Sequence, residues 1–277
     1  MTKLSFIFVL LLLPLILAAR MVEQEETFVI KDQTLSIDLE VEGGIIEVKP
    51  SNDRRDCFVF MSYPSEKCDV RIRYNQSRSH LDISIDNEKW DFDDDEEKAP
   101  LLLLELPFGP EISLTSHIKA GETTFNLGDL KLVDFELRHW AGETDVDFAK
   151  PNLVEMRTFD VNVKVGEVEL LNLSNARFED ADINSGIGEL TVDFNGKGTE
   201  QATARIDLDI GETTIILPDH IGTKLKVSKF LFLSDISYPD WFEKQGNYYY
   251  SDNYDESEQS LYLMISTGIG ELKIKVE

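Results

Sequence analysis

Apolar and polar residues alternate along most of the chain, and the phase of that alternation shifts by one residue at each recurring Gly-Glu pair. Before each glycine, the apolar residues lie at odd distances from it (one, three or five residues). After each glycine, they lie at even distances (two, four or six residues). Examples are Val161, Val163 and Val165 before Gly166, and Leu190, Val192 and Phe194 after Gly188. Side chains on an extended strand alternate between its two faces. A strand with this shift keeps both halves facing inward only if it bends at the glycine, which tolerates a corner.

The Gly-Glu pairs recur at nearly constant spacing. A degenerate copy has Ser234-Asp235 in place of Gly-Glu, and the last copy, at Gly270, follows a polar, Tyr-rich insertion near residues 239–260. Two short strands per repeat, joined at a corner, are typical of a β-solenoid in which each rung stacks on the next. The pattern predicts an all-β β-solenoid of about seven rungs, with an antiparallel sandwich or barrel as the alternative. Steps of about 22 residues separate the regular corners at Gly121, Gly142, Gly166, Gly188 and Gly211.

The region of residues 20–100 is strand-rich but less regular. The segment LSIDLEVEGGIIEV predicts a further, divergent corner at Gly43-Gly44. We expect this region to be continuous with the solenoid of residues 101–277 and to cap its open end, where a bare strand edge would invite pairing with other chains. Its other strands are CFVFMSY, CDVRIRY, HLDISID and PLLLLELPF, and the last two are separated by an acidic loop with Asp91, Asp93, Asp94, Asp95 and Glu96.

The two cysteines, Cys57 and Cys68, flank the segment FVFMSYPSEK. This segment predicts a hairpin that turns at Tyr63-Pro64. Two cysteines on facing strands could form a disulfide in an oxidising compartment. The strand register decides the outcome, so the alternative of two buried free thiols stays open.

Residues 1–19 have the character of a secretory signal peptide. One lysine precedes an apolar run from Leu4 to Leu17, and the small residues Ala18 and Ala19 follow it. The run is shorter than the roughly 20 residues that a membrane-spanning helix needs. We therefore expect an exported protein that is periplasmic, on the cell surface or secreted, with membrane contact only if the signal is not cleaved.

The chain is strongly acidic, with a net charge of -26. Such a surface repels the phosphates of nucleic acid and the headgroups of anionic lipids. Nucleic acid is therefore excluded as a partner, and divalent cations or basic proteins are favoured. Solubility in an extracytoplasmic medium would also account for this charge.

The residue after each corner glycine points outward and is acidic in every copy. Stacking of the copies predicts a column of carboxylates about 4.8 Å apart. A column of this kind could bind cations, with calcium as the candidate ion because it prefers several oxygen ligands. Alternatively, the glutamates are a solvated face, or they accept hydrogen bonds from backbone amides at the corner. The central members of this candidate metal ladder are Glu143, Glu167, Glu189 and Glu212.

The Tyr-rich insertion is a second candidate binding surface. Aromatic side chains are favoured at interfaces and on sugar-stacking surfaces. The alternative is that the insertion folds back as a cap over the last rung. The residues concerned are Trp241, Tyr248, Tyr249 and Tyr250.

Motifs for nucleophilic, metal-dependent or nucleotide-dependent catalysis do not occur in the sequence. The four histidines, at positions 80, 117, 139 and 220, are scattered along the chain. His139 falls at an inward offset and is expected in the core. We therefore expect no catalytic residues, no cofactor other than the candidate calcium ion, and a protein that is not an enzyme.

The segments GIGELTVDFNG, RIDLDIGETTIILPDHIGTKLKV and STGIGELKIKV, with the Tyr-rich loop before the last, resemble a bacterial envelope family. This is the toast-rack family, which is related to the putative-adhesin β-solenoids and to the C-terminal domain of cell-wall-active antibiotic response proteins. The resemblance covers roughly Leu101 to Glu277 and extends more loosely from Thr34. It implies a repetitive β fold, an envelope location and no known catalysis.

The sequence thus predicts a non-enzymatic, exported module that presents an acidic face for binding or adhesion to an envelope protein or glycan. A structural role, in which solenoid ends or edges pair with other proteins, is the alternative. A carbohydrate-active enzyme is a third hypothesis, because some β-solenoids act on polysaccharides. The oligomeric state is left open.

Overall fold

The computed structural model describes residues 21–86, 99–229, 234–237 and 239–277, and its regular structure is almost entirely β. The predicted signal peptide and the acidic loop from Asp91 to Glu96 lie outside the described residues. In the described part, no helix has the length and apolar character that crossing a membrane requires. A 3₁₀ turn lies at Leu173–Ala176. The strands are β1 Met21–Val29, β2 Thr34–Val41, β3 Gly44–Pro50, β4 Asp56–Pro64, β5 Asp69–Asn75, β6 His80–Asp86, β7 Leu101–Leu106, β8 Glu111–Asn126, β9 Leu132–Asp147, β10 Met156–Leu171, β11 Phe178–Asp193, β12 Gln201–Leu217, β13 Gly222–Lys229, β14 Ser234–Ser237, β15 Phe242–Gln245, β16 Tyr248–Ser251 and β17 Ser260–Val276.

Five long strands, β8 to β12, are the central rungs of a β-solenoid. Each pairs in parallel with the next, and their corner glycines are in register. Every rung bends at its glycine, so the half-strands before the glycines form a first face and those after it form a second face. The core lies between the two faces, and turns on the opposite edge join one rung to the next. The predicted all-β solenoid is confirmed.

The corner requires glycine for two reasons. The corner residues have φ values from 125° to 148°, a region that side chains disfavour. A Cβ atom on Gly166 would also lie 1.8 Å from the carbonyl oxygen of Gly142 on the preceding rung. The same close approach recurs from rung to rung, because parallel stacking places each corner directly on its neighbour.

The N-terminal strands add two further rungs beyond the seven Gly-Glu copies. Strands β2 and β3 pair with the two halves of β8, and Gly44 pairs with Gly121. Strands β6 and β7 pair in turn with β2 and β3. The end is closed by antiparallel strands, β5 on the first face and then β4 and β1 on the second. Phe28 of β1 and Tyr74 of β5 meet across this end, with ring centroids 5.4 Å apart. The boundary at residue 100 stays a prediction.

The predicted hairpin at Tyr63-Pro64 is wrong. Strand β4 pairs with β1 and β7 on the second face, whereas β5 pairs with β6 on the first face. The chain crosses from one face to the other between these two strands. Their alternating pattern is the same as that of a hairpin, but each strand extends a different face of the solenoid.

The order of the last rungs also differs from the order of the copies along the chain. Strand β17 lies between β12 and the split rung of β13 and β14, so Gly270 pairs with both Gly211 and Ser234. The degenerate copy at Ser234 is therefore the outermost rung. Because it lies at the edge, its corner stacks on one neighbouring corner glycine, whereas an interior corner stacks on two.

Aromatic side chains fill the middle of the core. Phe135 and Phe159 stack with their ring centroids 5.3 Å apart, and Phe178 lies 6.4 Å from Phe159. Phe148 approaches Phe159 from the second face at 6.2 Å. All four side chains are buried. The contact of Phe148 with Phe159 joins the two faces, and the other contacts join neighbouring rungs of the first face.

Candidate binding surface

The predicted glutamate ladder forms in the structure as an in-register column along the corner. Carboxylates that are exposed, or half-exposed at Glu212, occupy the position after the glycine on each of the rungs that pair from β8 through β12 to β17. Glu143 pairs with Glu167, which in turn pairs with Glu189. The column comprises Glu122, Glu143, Glu167, Glu189, Glu212 and Glu271, and we refer to these six residues as the Glu ladder. The backbone of Asp235 continues it beside Glu271.

A lysine partly offsets the charge at one end of the Glu ladder. Lys273 Nζ lies 2.6 Å from a carboxylate oxygen of Glu212 and 3.3 Å from one of Glu271. The hydrogen bond to Glu212 raises the pKa of Lys273 above its ordinary value. Exposed pairs of this kind contribute little to stability. Their consequence is that Lys273 offsets part of the negative charge at the Glu212 and Glu271 end of the Glu ladder.

An apolar ridge runs beside the Glu ladder. The alternation of inward and outward side chains wrongly predicts that its residues are buried. The residue just before the corner glycine is predicted to face inward, but on β10, β11, β12 and β17 this side chain is 44–50% exposed. The corner spans four outward-facing positions, from two residues before the glycine to one after it, so the rule for extended strands fails there. We call Val165, Ile187, Ile210 and Ile269, which pair in register, the apolar ridge.

The apolar ridge continues onto smaller side chains toward the N-terminal rungs. Ala120 pairs with Ala141, which pairs with Val165. Trp140 is 68% exposed next to Ala141 and enlarges the apolar surface. Contiguous exposed apolar surface rimmed by charge marks interaction sites in soluble proteins. The corner therefore combines an apolar ridge with an acidic border on the side of the Glu ladder, whereas the other side of the ridge carries Trp140, Lys164 and Asp209.

The Tyr-rich insertion forms a hairpin of β15 and β16 that pairs antiparallel with β13. Trp241 and Tyr249 pack against the core, so this part of the insertion acts as the cap that was the alternative prediction. Tyr248 and Tyr250 occupy the other face of β16. Strand alternation therefore separates the four predicted binding residues into two groups.

Tyr248 and Tyr250 belong to an aromatic patch around a lysine that was not predicted. Lys224 Nζ lies 4.3 Å from the ring centroid of Tyr248, 4.9 Å from that of Tyr262 and 5.7 Å from that of Tyr250. Burial is the main cause that raises the pKa of Tyr262. The pairing of β13 with β17 brings Lys224 and Tyr262 together in the patch. No local sequence motif predicts this pairing. A binding role for Tyr248, Tyr249, Tyr250 and Trp241 stays a prediction.

The cysteines are buried free thiols, which is the second of the two alternatives for this pair. Cys57 lies on β4, which belongs to the second face, whereas Cys68 lies just before β5, which belongs to the first face. Burial raises the pKa of Cys57 to about 12 and that of Cys68 to about 11. Thiols with such pKa values are poor nucleophiles at neutral pH.

Cation binding by Glu143, Glu167, Glu189 and Glu212 stays a prediction. The column offers one carboxylate per rung, and rungs are about 4.8 Å apart. Within the described residues, a group of three ligand atoms that all lie within 4.8 Å of one another occurs at Asp38, His80 and Asp82 instead. Calcium therefore stays a candidate ion for the Glu ladder, and bound calcium would have to bridge side chains of neighbouring rungs.

His139 is fully buried beneath the corner, as predicted from its inward offset. Its Nδ1 lies 2.8 Å from Thr144 Oγ1, and its Nε2 is a buried atom without a hydrogen-bond partner. Burial lowers the pKa of His139 to about 4, and a backbone hydrogen bond with Ala141 opposes this shift. The imidazole is therefore neutral in the folded protein at neutral pH.

We expect His139 to destabilise the fold as the pH falls. An unfolded histidine titrates near pH 6.5, so between about pH 6.5 and 4 the unfolded state binds more protons than the folded state. This difference should cost about 2 kcal/mol of unfolding free energy between pH 7 and pH 5. Urea unfolding at the two pH values measures it. His139→Met should remove this part of the pH dependence, whereas His117→Gln, at an exposed histidine, should keep it. Equal pH dependence of wild type and His139→Met would contradict the assignment.

The stacked rungs and their glycine corners place the chain among the β-solenoid repeat proteins. Residues 19–170 match the family described as the N-terminal domain of toast_rack, DUF2154. Residues 165–274 match the description "Cell wall-active antibiotics response LiaF, C-terminal". The first match covers more than half of the chain, so the chain belongs to the toast-rack family, as the sequence resemblance indicated. None of the curated proteins matches the chain.

Two solved structures are similar to the chain over most of its length. A putative cell adhesion protein from Clostridium sporogenes has a TM-score of 0.44 at 16% identity, with 92% of this chain and 100% of that chain covered. A putative adhesin from Bacteroides fragilis has a TM-score of 0.39 at 13% identity, with 93% of this chain and 98% of that chain covered.

Proposed function

We propose that this protein is a non-enzymatic, exported module of the bacterial envelope or cell surface that binds a macromolecular partner along its glycine corner. The observation that carries the proposal is the apolar ridge, which lies in register beside the Glu ladder. Membership of the toast-rack family supports a non-enzymatic role. The secretory character of residues 1–19 supports export.

The apolar ridge has the energetic properties of a binding surface. Four β-branched side chains, each about half exposed, lie on successive rungs about 4.8 Å apart. Complete burial of their exposed halves would contribute about 1 kcal/mol per residue. The rungs already hold the backbone in place, so a partner gains this energy without ordering the ridge.

The acidic residues beside the apolar ridge indicate the charge of the partner. The Glu ladder favours a protein segment that carries an apolar stripe flanked by lysine or arginine. A second copy of the same chain is less favoured, because each copy has a net charge of -26. We therefore assign the corner to a basic protein of the envelope.

Capture from an envelope extract tests the proposal when variants of the corner are compared. The ridge variant combines Val165→Thr, Ile187→Thr and Ile210→Thr, which keeps β-branched side chains. The ladder variant combines Glu143→Gln, Glu167→Gln and Glu189→Gln. The control is Lys150→Ser, at an exposed lysine on the turn between β9 and β10, on the opposite edge of the solenoid.

We expect one basic protein to be retained by the wild type and by the control. The ridge variant should lose at least about tenfold of this affinity, and the ladder variant should lose several-fold and become less sensitive to salt. Added calcium should raise the melting temperature of the wild type but not of the ladder variant if the ladder binds calcium. Retention of the same partner by all variants would contradict the proposal. Release of reducing sugar from polysaccharide would favour an enzyme instead.

An assembly role is the second candidate function, and free strand edges support it. In the described residues, β1 and β5 at one end pair on one side only. Sedimentation over a range of protein concentrations separates the two functions. Concentration-dependent oligomers that the ridge variant still forms would favour association through the ends rather than the corner.

A further inference from the structure

We propose that Asp38, His80 and Asp82 form a binding site for a first-row transition-metal dication, with Zn²⁺ as the probe. The three side chains come from two neighbouring rungs near the N-terminal end of the solenoid. Asp38 lies on β2, and His80 and Asp82 lie on β6. One ligand atom from each residue lies within 4.8 Å of the other two.

Strand pairing brings these ligands together. The parallel register of β2 and β6 places Asp38 directly beside Asp82. His80 precedes Asp82 by two residues, so both side chains point to the same outer surface of the first face. His80 Nε2 lies 2.8 Å from Asp82 Oδ1 and 3.4 Å from Asp38 Oδ2. The imidazole therefore faces both carboxylates with the same nitrogen.

The spacing and the donor types fit a small dication. Zinc binds histidine nitrogen and carboxylate oxygen at about 2.0–2.2 Å, which places tetrahedral ligands roughly 3.4 Å apart. The two separations from His80 Nε2, 2.8 Å and 3.4 Å, bracket this spacing closely enough for small side-chain movements to seat the ion. A mixed set of one imidazole and two carboxylates favours zinc, nickel or copper over calcium and magnesium, which prefer oxygen ligands alone. All three side chains are partly exposed, so water could complete the coordination.

Electrostatics supports a cation at this position. Two aspartates in register on adjacent strands repel each other, and His80 Nε2 faces both of them. A dication bound by the imidazole lone pair would offset both charges. Arg73 of β5 pairs in register with Asp82 and lines the same cleft, so it lowers the affinity of the site for cations. We therefore expect binding in the micromolar range rather than tighter.

The site does not depend on the proposed function of the corner. It lies on the first face, on the two rungs that connect the N-terminal strands to the solenoid, and it shares no residue with the apolar ridge or the Glu ladder. Bound metal would tie β6 to β2 and so stabilise this end. Loss of metal binding would leave partner capture by the corner unchanged. Loss of partner capture would likewise leave metal binding unchanged.

Calorimetric titration of the chelator-treated protein with Zn²⁺ tests the site. We expect one ion per chain and an increase in melting temperature. His80→Gln and Asp38→Asn should each weaken binding by at least about tenfold, and Arg73→Gln should tighten it. The matched control is His117→Gln, because His117 lies on the same face with one carboxylate, that of Glu136, at 3.8 Å. This control should bind Zn²⁺ like the wild type.

A second readout separates coordination from a folding defect. Melting curves without metal should show that His80→Gln and Asp38→Asn are folded. Co²⁺ bound to the wild type should give visible d–d absorption bands that His80→Gln lacks. Absence of Zn²⁺ binding by the wild type, or equal binding by the wild type and His80→Gln, would overturn the proposal. The cluster would then be a hydrogen-bonded His-Asp pair alone.

Discussion

Replacement of Gly166 by alanine should destabilise the protein by upwards of about 3 kcal/mol, because both the backbone conformation and the stacking of rungs exclude a side chain there. Gly166 has a φ of 145°, and its added Cβ would lie 1.8 Å from the carbonyl oxygen of Gly142. That oxygen belongs to the backbone of the neighbouring rung and cannot move without disturbing the ladder. Urea unfolding followed by circular dichroism measures the change.

Gly246→Ala is the matched control for this prediction. Gly246 also has a positive φ, of 65°, but no atom lies within 4 Å of the position of its added Cβ. Its replacement should therefore cost only about 1 kcal/mol, from backbone strain. Similar losses in the two variants would show that the close contact between corners contributes nothing, which contradicts the stacking described here.

Phe159→Ala should destabilise the protein by about 3–5 kcal/mol, because it removes the ring that links both faces at the centre of the core. The ring of Phe159 stacks on Phe135 and also contacts Phe148 and Phe178. Its side chain is fully buried in a closely packed interior, so the cavity would be only partly refilled. The measurement is again the free energy of unfolding in urea.

The conservative replacement Phe159→Leu distinguishes packing from a local backbone effect. Leucine retains most of the buried volume, so its cost should stay below about 1.5 kcal/mol. An alanine variant that is as stable as the leucine variant would mean that the rings do not form the continuous core seen between the two faces.

The rungs could be predicted from the sequence because each of them repeats one local signal. The phase shift at Gly166 or Gly188 results from a physical constraint, the bend of a strand whose halves both face the core. The positions on either side of that bend are less predictable. Continuing the alternation of an extended strand into the corner predicts that Val165 faces the core, but the backbone is no longer extended there and its side chain is exposed.

Strand order and the contacts between distant strands could not be predicted, because they depend on pairing rather than on spacing along the chain. The insertion of β17 beside β12 leaves no periodic signal, since each copy has nearly the same corner. The same limit applies to the sites. Asp38 meets His80, and Lys224 meets Tyr262, only through the register of parallel strands. The Glu ladder was predictable because all its members share one offset from a glycine.

Site-specific photo-crosslinking in cells tests the binding role of the corner most directly. A photoreactive amino acid replaces Ile187 in the apolar ridge, and a second protein carries the same group at Lys150 on the opposite edge. We expect one basic envelope protein to be crosslinked at position 187 and not at position 150, with a yield that falls when Glu167 and Glu189 are changed to glutamine. Equal crosslinking at both positions, or none at position 187, would contradict binding along the glycine corner.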